Sequence, residues 1–244
     1  MFRGLGTVIN VVAISAGATV GMLTGGRLKE RTKSIVTDVL GCITFLAAAD
    51  AASSLWNPTF IHSVPRGWAL LGTLFALVIG AIIGSFFRIQ DRLEGFGELL
   101  RKKFGGSDEK SFISGFMAAT LLFGVGPLAI LGSVSDGMGN GITQLVLKST
   151  LDFFAAIAFA STFGIGVIAS IIPVAIYQGL WTLIGLSLGN IMTGYQVDAM
   201  NVAGGVLLFG ISLRLLNIKQ MRVGDLLPAL FIAPLIALAA HQFI

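Results

Sequence analysis

The chain has 244 residues, of which 55% are hydrophobic and only 11% charged, and its mean hydropathy is +0.90. A soluble domain carries roughly 25% charged residues, so the composition specifies an all-α polytopic membrane protein whose standing partner is the lipid bilayer. The formal net charge of +4 fits basic loops facing anionic lipid and excludes a nucleic-acid surface, while the single Cys42 excludes an intramolecular disulfide and a cysteine metal cluster.

About eight spans are expected, at 4–26, 34–54, 66–87, 112–134, 145–163, 167–192, 199–217 and 225–243, and residues 1–244 read as a single integral membrane domain. Span 1 follows Arg3 and imitates a signal peptide through its small residues Ala16-Gly17-Ala18. Its uncharged run, 4–26, is nevertheless long enough to cross, so a retained helix is expected. Span 2 has Asp38 and Asp50 near its ends, and Trp56 and Trp68 flank the loop before span 3, where interfacial aromatics belong. Segment 88–110 is no span. Ile89, Leu93, Phe96, Leu100 and Phe104 recur at helical spacing among mixed charges. The segment reads as an amphipathic helix at the cytoplasmic interface, or one packed on the protein's own cytoplasmic face.

Span 4 contains Gly124-Val125-Gly126-Pro127. Proline lacks the backbone donor and clashes with the preceding turn, so a kink or a full break is expected there. A break would leave carbonyls near Phe123 and amides beyond Pro127 able to bind a polar ligand inside the bilayer. Next comes the small, polar stretch 133–141, with Ser133 and Asp136. It is either an ordinary outer loop or a re-entrant loop lining a substrate path.

Residues 153–197 carry no Asp, Glu, Lys, Arg or His. As one helix this run would extend roughly 68 Å, against a hydrocarbon core of about 30 Å. It must hold two crossings and a turn. Gly164-Ile165-Gly166 is the expected turn, since Ile171-Ile172-Pro173-Val174 is too apolar for the interface. Span 5 must then reach back toward Leu145, which puts Lys148 and Asp152 inside the membrane. Spaced i, i+4, they share a helix face. Ionisable groups at that depth are a functional-site hypothesis; the alternatives are a pair that only fixes packing, or a Lys148 that snorkels outward. Asn10 in span 1 and Gln178 in span 6 complete the list of candidate substrate- or ion-binding residues: Lys148, Asp152, Asp136, Ser133, Pro127, Gln178 and Asn10.

Lys and Arg concentrate in the loops after spans 1, 3 and 7, which eight spans place on one side. By the positive-inside rule that side is cytoplasmic, and both termini face outward. Spans 1–3 and 6–8 then form three-helix groups of opposite orientation, which fits an inverted-topology repeat; its sequence support is Gly17-Ala18-Thr19-Val20-Gly21 against Gly185-Leu186-Ser187-Leu188-Gly189. Glycine-rich helix faces also allow a homodimer.

An ordered series of motifs carries a resemblance. It comprises Gly126-Pro127-Leu128-Ala129-Ile130-Leu131-Gly132-Ser133 with Asp136-Gly137, Leu147-Lys148-Ser149 with Leu151-Asp152, Phe159 to Val167, Tyr177-Gln178-Gly179, and Asp225-Leu226-Leu227-Pro228. This series resembles the YqgA/YdfK-like bacterial inner-membrane proteins over nearly the whole chain. The resemblance implies an inner-membrane protein of a family without an assigned function, with transport as the suggested activity. Ser85 stands where that pattern often has an acidic residue, and Asp225 where it has Asn.

No His-Glu-x-x-His, Walker loop or Gly-x-Ser-x-Gly is present, so an enzyme is not expected and neither metal nor cofactor is implied. The expected function is a secondary transporter or permease of a small polar or charged solute. A non-transporting scaffold or accessory subunit is the alternative, and a channel the third choice.

Overall fold

The computed structural model describes residues 2–25, 29–104, 109–124, 127–188 and 192–243. Arg27 of the first basic loop, residues 105–108 of the amphipathic segment, Gly126 at the expected break and Gly189 of the second repeat motif lie outside the described residues. The described elements are all helical: α1 (Leu5–Gly25), α2 (Glu30–Ala52), α3 (Pro58–His62), α4 (Trp68–Phe86), α5 (Ile89–Phe104), α6 (Glu109–Gly124), α7 (Pro127–Met138), α8 (Thr143–Phe163), α9 (Gly166–Ala169), α10 (Ile171–Leu188), α11 (Gly194–Leu215) and α12 (Ala229–His241). Seven segments are long and apolar enough to cross a bilayer, and α6 with α7, bent by 57°, makes an eighth.

The 45-residue uncharged run divides where glycine permits it. α8 ends at Phe163, and Gly164 adopts φ +67°, a left-handed conformation that glycine reaches without steric cost. The next span starts at Gly166. Pro173 instead lies in the first turn of α10, where a missing N–H costs little. Asn57 caps α3 by accepting from the Thr59 N–H at 3.0 Å, with Pro58 at the first helical position. A reciprocal capping box of Thr193 and Gln196 starts α11.

The described helices fall into two compact units. Unit 1 holds residues up to Leu40 and 93–191; unit 2 holds residues 41–92 and 192 onward. The packing units therefore do not follow the 1–3 and 6–8 grouping of spans, since span 1 packs with spans 4 to 6, and span 3 with the last two.

In unit 1, α1 lies along α8. An added Cβ on Gly6 would meet Leu145; on Gly17, the Phe153 carbonyl; on Gly21, the Ile157 carbonyl; on Gly25, the Ser161 carbonyl. The paired numbers rise together, so the two helices are parallel, and their backbones approach as closely as small-residue stripes allow. Parallel helices in a bilayer need an odd number of crossings between them, and α2, α4 and the bent pair make three. The bent pair's own contacts agree. Gly115 of α6 packs on Phe163 at the end of α8, whereas Gly132 of α7 packs on Leu145 near its start, and 18 residues of helix separate those levels by roughly 27 Å. α6 and α7 together thus traverse the thickness that α8 does: span 4 is broken, not re-entrant. Buried Phe112, Phe116, Met117, Phe123, Ile130 and Phe159 fill the interior. Phe96 of α5 packs edge-on against Phe116 and Leu100 is buried, so the amphipathic helix rests on the protein itself.

In unit 2, α11 is buried along most of its length, with Ala203 and Leu207 fully enclosed. Gly80 and Gly84 of α4 approach the backbone at Ala229 and Asp225. The Ser212 hydroxyl donates to the Gly41 carbonyl at 2.8 Å, tying α11 to α2.

Candidate functional site

The buried face of α8 reads Leu145, Lys148, Ser149, Asp152, Ala156, Phe159 and Ala160, a 3.6-residue period. Leu147, Leu151 and Phe154 on the opposite face are exposed, as lipid-facing residues would be. The charged side chains therefore point into unit 1. Lys148 is 6% and Asp152 8% exposed, and the Lys148 ammonium donates to the Asp152 carboxylate in a buried ion pair. Asp152 is the tenth of the 21 residues of α8, roughly 14 Å from its start and close to mid-span. A carboxylate that deep needs a cation beside it, because an isolated charge in an apolar setting costs many kcal/mol.

Unit 1 also encloses polar atoms that have no protein partner. Asn10, on the α1 face toward α8, is fully buried beside Asp152. Its side-chain amide is a hydrogen-bonding neighbour of that carboxylate, and its amide oxygen has no protein partner. Gln178 on α10 is fully buried with both amide atoms unpartnered, and the buried Thr7 hydroxyl is unpartnered too. α10 packs against both α1 and α7. A buried unmade hydrogen bond costs about 1–3 kcal/mol, and native interiors leave few. The two fully buried amides of unit 1, one of them beside an ion pair, offer donors and acceptors suited to a polar ligand, an ion or ordered water.

The stretch expected as a loop at 133–141 is helical as far as Met138, so Ser133 and Asp136 lie on α7 and serve the fold. Both oxygens of Asp136 accept backbone amides at the start of α1, from Gly4 at 3.1 Å and from Gly6 at 2.9 Å. This carboxylate caps a helix across 130 residues of sequence. The Ser133 hydroxyl donates to the Ala129 carbonyl at 2.6 Å within α7, and Pro127 begins α7.

Two polar clusters in unit 2 escaped the sequence reading. Asp198 is buried near the start of α11, with Ser54 and Asn57 as its hydrogen-bonding neighbours; Asn201 donates to the Ser54 hydroxyl at 3.3 Å. The sequence reading began this span at 199, one residue too late to include the carboxylate. The Thr193-x-x-Gln196 capping box is the signal that would have moved the boundary. The second cluster is a clasp at the start of α5. The Gln90 N–H donates to Asp225 at 2.9 Å, and the Gly224 N–H donates to the Gln90 side-chain carbonyl at 2.7 Å. Arg222 bridges Asp225 at 2.7 Å and Asp91 at 2.6 Å, and Arg88 bonds Asp91 at 2.8 Å. Hydrogen bonds from Arg88 and then Arg222 hold the Asp91 carboxyl below its ordinary value, and the bond to Asp225 raises Arg222 further.

A family profile described as a protein of unknown function, DUF554, matches residues 5–238. The uncharacterized membrane protein YdfK of Bacillus subtilis is 27% identical over 238 residues, covering 98% of this chain and 97% of that protein. The uncharacterized protein YqgA of Escherichia coli is 30% identical over 233 residues, 94% of each. No solved structure matches the chain.

Proposed function

The chain belongs to the DUF554 family, membrane proteins of unknown function, and we propose that it is a secondary transporter of a small polar or charged solute in the bacterial inner membrane. One observation carries this reading: within unit 1, a buried ion pair at mid-span has the Asn10 amide beside its carboxylate, and the same unit encloses Gln178, neither of whose amide atoms has a protein partner. Inert helix packing gains nothing from such groups. A solute or coupling ion that replaces the missing hydrogen bonds recovers their cost, and a proton, cation or anion can compete for one half of the Lys148–Asp152 pair. The break between α6 and α7 fits the same reading, because discontinuous spans are how transporters expose backbone dipoles and articulate around a site.

The basic loops give the orientation we infer, with the ends of α1 and α8 and the start of α6 at the cytoplasmic face and both termini outside.

Counterflow into proteoliposomes, using a pooled set of polar metabolites, tests the function. Saturable exchange is expected. Asp152→Asn and Gln178→Leu should abolish it while leaving the purified protein folded. Exchange that survives both substitutions, or a wild-type protein that exchanges nothing and copurifies with another membrane protein, would instead establish the scaffold reading, with Lys148 and Asp152 as a packing pair.

A further inference from the structure

Four aspartates are buried among the described residues: Asp136, Asp152, Asp198 and Asp225. A carboxylate taken out of water needs a cation or strong donors beside it. Three of the four have them. Asp152 has the Lys148 ammonium, Asp225 has the Arg222 guanidinium and the Gln90 N–H, and Asp136 has the N–H groups of Gly4 and Gly6. Asp198 differs. It is 8% exposed, and the side chains that bond it, Asn57 and Ser54, are both neutral. Among the described residues no lysine, arginine or histidine pairs with it.

The start of α11 does not supply the lacking charge. Asp198 is its fifth residue, beyond the four N–H groups that a helix start leaves free. What surrounds Asp198 is oxygen. Asn201 stands three residues on, on the same face of α11. Asn201 as a whole is half-buried, but its amide oxygen is enclosed and has no protein partner. Its NH2 group is spent on the Ser54 hydroxyl, at 3.3 Å. Ser54 belongs to the 3₁₀ turn Ser53–Trp56 that follows α2, and the carbonyl end of a helix carries partial negative charge. Asn57 is arranged the other way: its oxygen accepts the Thr59 N–H at 3.0 Å, so its NH2 group is the part that meets Asp198. A carboxylate, an amide oxygen and a hydroxyl oxygen thus gather around one serine, all within unit 2.

We propose that Asp198, Asn201 and Ser54 bind a monovalent hard cation such as sodium. Hard cations take oxygen ligands, carboxylate and amide oxygens among them. One carboxylate with neutral oxygens balances a single positive charge, whereas a divalent ion would keep one charge uncompensated in a buried place. No group of three or more His, Cys, Asp or Glu side chains that would suit a divalent or transition metal exists among the described residues. A cation held there ties the turn after α2 to α11, and it stabilises unit 2 by neutralising a carboxylate that no side chain neutralises. The place lies in unit 2 and the Lys148–Asp152 pair in unit 1, so cation binding does not depend on transport.

Full-length protein in phosphatidylcholine nanodiscs tests this, with sodium chloride replacing choline chloride at constant ionic strength. Binding of radioactive sodium and the melting temperature are read on the same preparations. Wild type should bind sodium saturably and melt higher as sodium rises. Asp198→Asn is nearly isosteric and carries no charge to neutralise. It should bind no sodium and melt at one temperature in both salts. Asn201→Ala should weaken sodium binding severalfold, and it carries the test if Asp198→Asn does not fold. Asp91→Asn should leave the binding unchanged. A wild type that binds no sodium, as a protonated Asp198 would require, overturns the proposal. So does sodium binding that persists at wild-type strength in Asp198→Asn and Asn201→Ala, or sodium displaced by an equal concentration of calcium. Each of these results leaves the transport reading, which rests on unit 1, standing.

Discussion

Removing Asp152 separates a site from a packing device, because the two halves of a buried pair respond differently to loss. Lys148 is 6% exposed and its ammonium is bonded to Asp152. In Asp152→Ala that ammonium stays on the inward face of α8 with no carboxylate. Leaving one member of a buried pair uncompensated costs about 3–5 kcal/mol. For a chain of this size each kcal/mol moves the melting temperature by about 2–4 °C, so Asp152→Ala should melt about 6–20 °C lower. Replacing both residues by apolar groups of similar volume, Lys148→Met with Asp152→Leu, removes the desolvation of two ions together with their attraction. That exchange is neutral to stabilising by about 1–4 kcal/mol, and the double variant should melt at or above wild type. Thermal unfolding in detergent, followed by tryptophan fluorescence or by the loss of the monodisperse elution peak, measures both. Transport assayed on the same preparations should be absent from the double variant despite its stability. A double variant as destabilised as the single one would refute the argument, since the pair would then hold the fold through something other than mutual neutralisation. An Asp152→Ala protein as stable as wild type would refute it too, by showing that Lys148 reaches water.

Gly21→Ala should cost about 1–3 kcal/mol in a thermal melt, because its Cβ meets the Ile157 carbonyl, which is backbone and cannot rotate away. Gly95→Ala, which meets nothing within 4 Å on the helix α5, should stabilise by about 0.5–1 kcal/mol. Asp136→Ala removes the acceptor of two backbone amides and should raise hydrogen-exchange rates in the first turn of α1, with Asp136→Asn intermediate. The Asp91 carboxyl is held below its ordinary value of 3.8, by Arg88 and then Arg222. Its contribution is therefore complete above that value and is lost as pH falls through the lower folded-state value. Melting temperature followed from about pH 5 to 3 should fall less steeply in Asp91→Asn than in wild type, and added salt should narrow the difference.

The membrane class, the number and order of spans and the turn at Gly164 are legible in the sequence because they depend on local properties. A helix cannot cross a bilayer without about 20 apolar residues, so charge-free runs mark the spans. The divided run of 153–197 is the clearest case. Length demands a turn, glycine supplies the conformation at 164, and the register of Lys148 and Asp152 inside α8 follows from that one residue. Their shared face was readable from the i, i+4 spacing, and their inward orientation from the leucines on the opposite face.

What faces them was not readable. Asn10 lies beside Asp152 because Gly17, Gly21 and Gly25 let α1 settle against α8, and no local signal joins residue 10 to residue 152. Asp136 looked like a loop carboxylate open to a substrate path, yet its two oxygens hold the start of α1. Hydropathy acts along the chain and is additive, so the sequence alone determined the spans. Hydrogen-bond satisfaction is decided between helices, by which small residues permit which approach. Only the tertiary structure could therefore decide which buried polar groups are spent on the fold and which, like Gln178, are not.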